Sequence, residues 1–258
     1  MQDPVLRRKK YTQFGNFVRR YLNENQVGLL KRLLATFSAT SNLDLLAVAY
    51  GTDKYGGHNY TTHYQTHFRS IRKKKLNILE IGIGGYDDPT AGGGSLRMWR
   101  SYFPNSYIYG IDIHDKSCHD EKRIRTFIGS QVDESFLRSV VDTIGEIDII
   151  IDDGSHRSEH VIKTFEILFP ALNQNGIYAI EDLQTSYWER DGGSSDLAAP
   201  HTSMNFLKGL LDGLNYEEFV DKDYAPSYYD ENIVSLHFYH NLAFVYKGNN
   251  IEASNRHQ

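Results

Sequence analysis

Leu76-Asn77-Ile78-Leu79-Glu80-Ile81-Gly82-Ile83-Gly84-Gly85 is the stretch on which the reading of the fold turns. It opens as a short apolar run of strand type and passes directly into glycines. Glycine lets the backbone take left-handed turns and come close to a ligand. A strand that ends in such a turn and leads into a helix is the first unit of a βαβ fold. The same alternation continues downstream. Ser95 to Phe103 reads as a helix with Ser95 as its N-cap, Ser106 to Ile113 as a second strand and Arg125 to Ile128 as a third. Asp133 to Ile144 reads as an amphipathic helix, Ile147 to Ile151 as a strand, Ser158 to Phe169 as a helix stopped by Pro170, and Gly176 to Ile180 as a fifth strand. Five strands alternating with helices predict a parallel sheet covered on both faces. Asn232 to Tyr239 and Leu242 to Tyr246, joined by His240-Asn241, read as a terminal antiparallel hairpin.

Upstream, residues 5–48 carry apolar stripes of helical period. They predict an N-terminal helical extension over 1–50 that serves as a lid or an oligomer contact. The main domain is expected over 51–250, followed by a tail over 251–258. The polar stretch Gln184 to Thr202 reads as a long loop over the site. The net charge of −5 over 258 residues argues against a nucleic-acid binder. A single cysteine, Cys118, excludes an intrachain disulfide. With no apolar leader and no spanning segment, the expectation is a cytoplasmic protein that needs no membrane.

In an open α/β sheet, ligands bind outside the carboxyl ends of the strands. There this sequence places glycines and acids: Glu80 and Gly82 to Gly85, then Asp112, then Asp152-Asp153, then Glu181-Asp182. So many carboxylates on one rim repel one another unless cations join them. The glycine turn lacks the third glycine of a dinucleotide fingerprint, because Asp87 stands at that position. Glu80 before the glycines suits a cationic amino group better than a phosphate. The second group, Asp153 with His156 three residues on and Glu181-Asp182 one βα unit later, offers hard oxygen ligands for Mg²⁺. An imidazole titrates near neutrality, so His156 is the candidate general base. A plainer reading has Asp152 or Asp153 capping the helix that follows, and His156 or His160 as structural histidines.

The E-x-G-x-G run resembles motif I of class I S-adenosylmethionine (SAM) methyltransferases. Longer segments resemble the metal-dependent sugar O-methyltransferases of natural-product biosynthesis. They are GTDKYGGHNYT at 51–61, Glu80 to Tyr86, DDPTAGGGSLRMW at 87–99, IDDGSH at 151–156 and IEDLQTSYW at 180–188. The resemblance covers about residues 50–215. It implies a class I, Rossmann-like methyltransferase that uses SAM and a divalent cation, taken as Mg²⁺, to methylate a deoxysugar hydroxyl beside another hydroxyl. On matching positions, Asp153, Glu181 and Asp182 fall as metal ligands and His156 as the base. Thr52, Glu80, Gly82, Gly84, Gly85, Tyr86, Ser95 and Asp112 fall on cofactor positions, with Asp112 facing the ribose. Gln131 and Asp133, after the third strand, are expected to flank the adenine. Tyr60, Tyr64 and Tyr187 are expected to wall the acceptor pocket. The implied partner is a small glycoside, and a homo-oligomer is expected. Methylation of a catechol-like phenol, or SAM binding without turnover, are the rival readings.

Overall fold

The structure is a computed structural model that describes residues 41–221 and 223–254. The helical extension expected over 5–48 therefore lies largely outside the described residues. Its last part is present as a helix, α1 (Leu43–Tyr50), capped at its start by the Asn42 side chain and at its end by left-handed Gly51. The chain divides into two compact units, residues 41–74 with 97–104, and residues 75–96 with 105–254, within the described range.

The first unit contains α1, a second helix α2 (Tyr60–Phe68) and most of α3 (Gly94–Tyr102). The sequence pattern did not predict α2, whose YTTHYQTHF composition is polar and poor in strong helix formers. Packing overrides that propensity. Tyr60, Tyr64 and Phe68 recur every fourth residue on one buried face. The Tyr64 ring meets Trp99 edge-on at 4.9 Å, and Phe68 packs on Phe103 at 5.5 Å.

The second unit is a seven-stranded sheet in the order β3-β2-β1-β4-β5-β7-β6. The strands are β1 (Asn77–Ile81), β2 (Tyr107–Asp112), β3 (Ile124–Ile128), β4 (Ile147–Asp152), β5 (Leu172–Ile180), β6 (Ile233–Tyr239) and β7 (Leu242–Lys247). Neighbours among β1 to β5 pair in parallel, and β7 runs antiparallel between β5 and β6. This is the expected parallel sheet with its terminal hairpin. The strand order reverses between β1 and β4, which makes the switch point where ligands of such sheets bind.

The helices of this unit are α4 (Glu134–Ile144), α5 (Ser158–Leu168), α6 (Ser203–Gly213) and α7 (Tyr228–Asn232). Leu137, Val140 and Ile144 of α4 and Val161, Phe165 and Leu168 of α5 join strand residues such as Ile150 and Tyr178 in one buried cluster. Each such aliphatic or aromatic side chain stabilises the fold by roughly 1.5–3 kcal/mol on burial. At the end of β7 the buried Lys247 ammonium donates to the carbonyls of Phe169, Pro170 and Leu172 at 3.2, 2.8 and 2.7 Å. A cation at the carboxyl end of α5 meets that helix's dipole and its orphaned carbonyls together. Among the described residues no helix is long and apolar enough to cross a membrane.

Candidate active site

Strand register lines up the tips that matter. Ile81 pairs with Asp152, and Asp152 with Ile180. The ladder runs one residue further: the amides of Gly82, Asp153 and Glu181 donate to the carbonyls of Ile111, Ile81 and Asp152 at 2.8, 2.9 and 2.9 Å. The glycine turn and the two acidic tips thus leave the sheet in one row.

On the β1 side, Glu80 is fully buried and accepts a hydrogen bond from the Ser95 hydroxyl at 2.8 Å. Ser95 is therefore not the N-cap that its sequence position suggested. The helix starts at Gly94, and the hydroxyl turns to the buried carboxylate, which needs a donor. Asp112 accepts from the Ile83 amide at 3.0 Å and from the His114 amide at 2.9 Å, tying β2 to the glycine turn. Gly82, Gly84 and Gly85 all have positive φ, and so does the exposed Tyr86. Gly82 has a second constraint: a Cβ there would overlap the carbonyl oxygen of Asp153. The segment Asp88 to Gly93 lies over this turn, with the Gly93 amide on the Ile83 carbonyl at 2.9 Å. Buried Lys116 holds it from the other side, donating to the Asp88 carbonyl at 2.6 Å, while the His119 ring bonds the Ala91 carbonyl at 3.1 Å. Sequence reasoning missed Lys116 and His119, whose partners are carbonyls far along the chain.

On the β4–β5 side, Asp153, His156 and Asp182 each offer a ligand atom within 4.8 Å of the other two. His156 Nε2 lies 3.6 Å from Asp182 Oδ2. His156 and Asp182 have φ of 57° and 54°. A left-handed conformation is costly for a residue with a Cβ, and such strain concentrates at functional sites. Two carboxylates at this spacing, with an imidazole beside them, suit a divalent cation that works next to a proton acceptor. Glu181 is buried directly before Asp182 and is not one of the three converging residues. Asp152 faces inward, and burial pushes its carboxyl up to about 7, against the opposing pull of the Gly154 amide. Neither aspartate caps α5, because that helix begins at Ser158 behind Arg157. His160 is structural, with Nδ1 at 2.8 Å from the Ser155 hydroxyl.

The other expected residues fall as follows. Asp133 is exposed and caps α4, accepting from the Phe136 amide at 3.1 Å and the Ser135 hydroxyl at 2.7 Å. Gln131 is buried among Asp152, Thr164 and Ser155. Thr52, Tyr60 and Tyr64 belong to the first unit; Thr52 Oγ1 accepts from the Lys54 amide at 3.5 Å. Tyr187 is exposed at the end of the single-turn helix Leu183–Tyr187, and next to it the Arg190 guanidinium stacks 4.8 Å over Trp188.

No protein-family model matches the chain. It is 49% identical over 221 residues, 84% of its length, to an 8-demethyl-8-alpha-L-rhamnosyl tetracenomycin-C 2'-O-methyltransferase of Streptomyces olivaceus. It is 47% identical over 235 residues, 90% of its length, to a mycinamicin VI 2''-O-methyltransferase of Micromonospora griseorubida. Over more than four-fifths of its length this chain is similar to natural-product sugar O-methyltransferases. A solved member of the family, a methyltransferase of the mycinamycin pathway in complex with Mg, SAH and mycinamycin VI, superposes with a TM-score of 0.79 at 48% identity. That match covers 82% of this chain and 55% of the solved one. The chain thus spans about three-fifths of the length of the curated relatives, 58% and 59% for the two above. The family's fold is the class I methyltransferase sheet described above.

Proposed function

We propose that this chain transfers a methyl group from SAM to a sugar hydroxyl of a glycosylated small molecule, with a divalent cation, Mg²⁺, at the acceptor. The observation that carries the reading is the convergence of Asp153, His156 and Asp182 in the same row of strand tips as the glycine turn. The relatives named above are sugar O-methyltransferases, and the solved one holds Mg and SAH.

On this reading Glu80 faces the cationic amino group of SAM, with Ser95 fixing the carboxylate. Asp112 receives the ribose hydroxyls, and Gly82, Gly84, Gly85 and Tyr86 shape the turn beside the donor. Asp153, Glu181 and Asp182 would hold the cation. The cation, when bound, lowers the pKa of the acceptor hydroxyl and orients it. His156 Nε2 accepts the hydroxyl proton. SAM, when bound, would supply its sulfonium methyl group to that oxygen and leave as SAH, its sulfur keeping the bonding electron pair. Asp182, 3.6 Å from His156, stabilises the imidazolium so formed. A vicinal diol would suit such a site, since neighbouring hydroxyls offer the hard oxygen atoms that a divalent cation takes. Tyr187 and its aromatic neighbour Trp188 would meet the sugar ring on this reading.

Chelation is the direct test. EDTA should abolish methyl transfer from labelled SAM while SAH binding, read by calorimetry, persists. Full turnover in chelator would sink the cation's role. His156→Ala should lower kcat about 10²-fold, the usual scale for a lost general base. An acceptor screen in which only phenols are methylated would replace the sugar assignment.

A further inference from the structure

Gln131 was expected beside the adenine, yet its side chain is already engaged by the protein. Its Oε1 accepts from the Ser155 amide at 2.7 Å. Its Nε2 lies 3.0 Å from Thr164 Oγ1 and 3.4 Å from Asp152 Oδ1. The orientation of the amide follows from this chemistry, because a backbone N–H donates only to the oxygen, which turns the nitrogen toward the two oxygen acceptors. Both amide donors and one acceptor position are thereby used, and the residue is buried. Thr164 is fully buried on α5 and bonds back to the carbonyls of Gln131 at 3.0 Å and His160 at 2.7 Å. Gly154 closes the arrangement: a Cβ at that position would overlap the Gln131 amide oxygen. The loop 153–156 therefore lies directly on Gln131, and it carries Asp153 at one end and left-handed His156 at the other.

From this we infer that Gln131, held by Thr164, is a positioning residue for the Asp153–His156 loop and acts on the metal half of the site rather than as an adenine contact. The inference rests on the functional reading above. Supporting groups behind metal ligands commonly change metal affinity by about 10–100-fold when removed. The Gln131 amide does this through the backbone: it fixes the Ser155 amide, and with it the direction in which the chain presents Asp153 and His156.

The test uses two binding measurements that do not need turnover. Mn²⁺ binding to the SAH-saturated protein is followed by electron paramagnetic resonance, and SAH binding by calorimetry. Gln131→Met keeps the length and burial of the side chain but removes its hydrogen bonds. It should weaken Mn²⁺ binding at least about tenfold and change SAH affinity by less than about threefold. Thr164→Val should act in the same direction with a smaller effect, and Thr164→Ser, which keeps the hydroxyl, should restore Mn²⁺ affinity. A tenfold loss of SAH affinity with Mn²⁺ binding intact would return Gln131 to the adenine and overturn the inference. So would unchanged binding of both ligands, or equal loss of both. If the unmodified protein binds no Mn²⁺, the proposed cation chemistry fails, and that result is distinct from any of these.

Discussion

The two halves of the site hold their residues in different ways. On the β1–β2 side the backbone itself is the working part. Glycines at positive φ form the turn, Asp112 accepts from its Ile83 amide at 3.0 Å, and Ser95 donates to the buried Glu80 carboxylate before it at 2.8 Å. On the β4–β5 side side chains are the working part. The two that define the geometry, His156 and Asp182, take left-handed conformations without being glycine. A glycine turn bears no such strain, whereas a strained histidine and aspartate need a scaffold beneath them. That scaffold is the buried Gln131–Thr164 pair and the extended parallel ladder. The halves touch where the Gly82 backbone lies against the Asp153 carbonyl.

Four substitutions probe how separate these halves are. The largest effect is expected at the metal half. Asp153→Asn removes charge from the proposed ion site and should reduce turnover on the order of 10³-fold, roughly 4 kcal/mol of transition-state stabilisation. SAH affinity should change little, and a matching loss of SAH binding would show that the halves are one unit. Gly82→Ala should damage both halves together, because the new methyl overlaps Asp153 and the backbone is left-handed. Overpacking and strain predict a destabilisation of about 2–4 kcal/mol, measurable by urea unfolding; a wild-type midpoint would mean that the contact relaxes freely. Asp112→Ala should lower SAH affinity about tenfold and leave Mn²⁺ binding unchanged, since it loses hydrogen bonds worth about 1–1.5 kcal/mol. Ser95→Ala is the mildest, with an expected fivefold loss of SAH affinity, about 1 kcal/mol, for leaving Glu80 without that hydroxyl. An effect of Ser95→Ala on Mn²⁺ binding as large as that on SAH would erase the distinction between the halves.

The same contrast explains what could be read in the sequence. The β1 half was legible because glycine has few reasons to cluster after a strand, so Gly82 to Gly85 with Glu80 and Asp112 point to a ligand directly. The sheet was legible because β1, β4 and β5 are apolar runs bounded by turns, and the terminal hairpin was legible from its two strand-like runs. The metal half was legible in part. Asp153, His156 and Asp182 stood out as acids and a base at strand tips. What periodicity could not show was the left-handed backbone of Asp182, whose carboxylate lies 3.6 Å from the His156 ring. Nor could it show that Gln131 points inward, because a glutamine in a loop looks the same in sequence whether it meets a ligand or a neighbouring amide. Helix α2 was hidden because its stability comes from aromatic packing and not from local propensity.

The strand order has a consequence for synthesis. During translation, every residue proposed here for catalysis leaves the ribosome before β7 exists. Yet β7 is the strand that inserts between β5 and β6, and its final lysine fastens the carbonyls that follow α5. The growing polypeptide thus carries these groups on a sheet whose fifth strand still has an open edge, until β7, the last strand among the described residues, closes it.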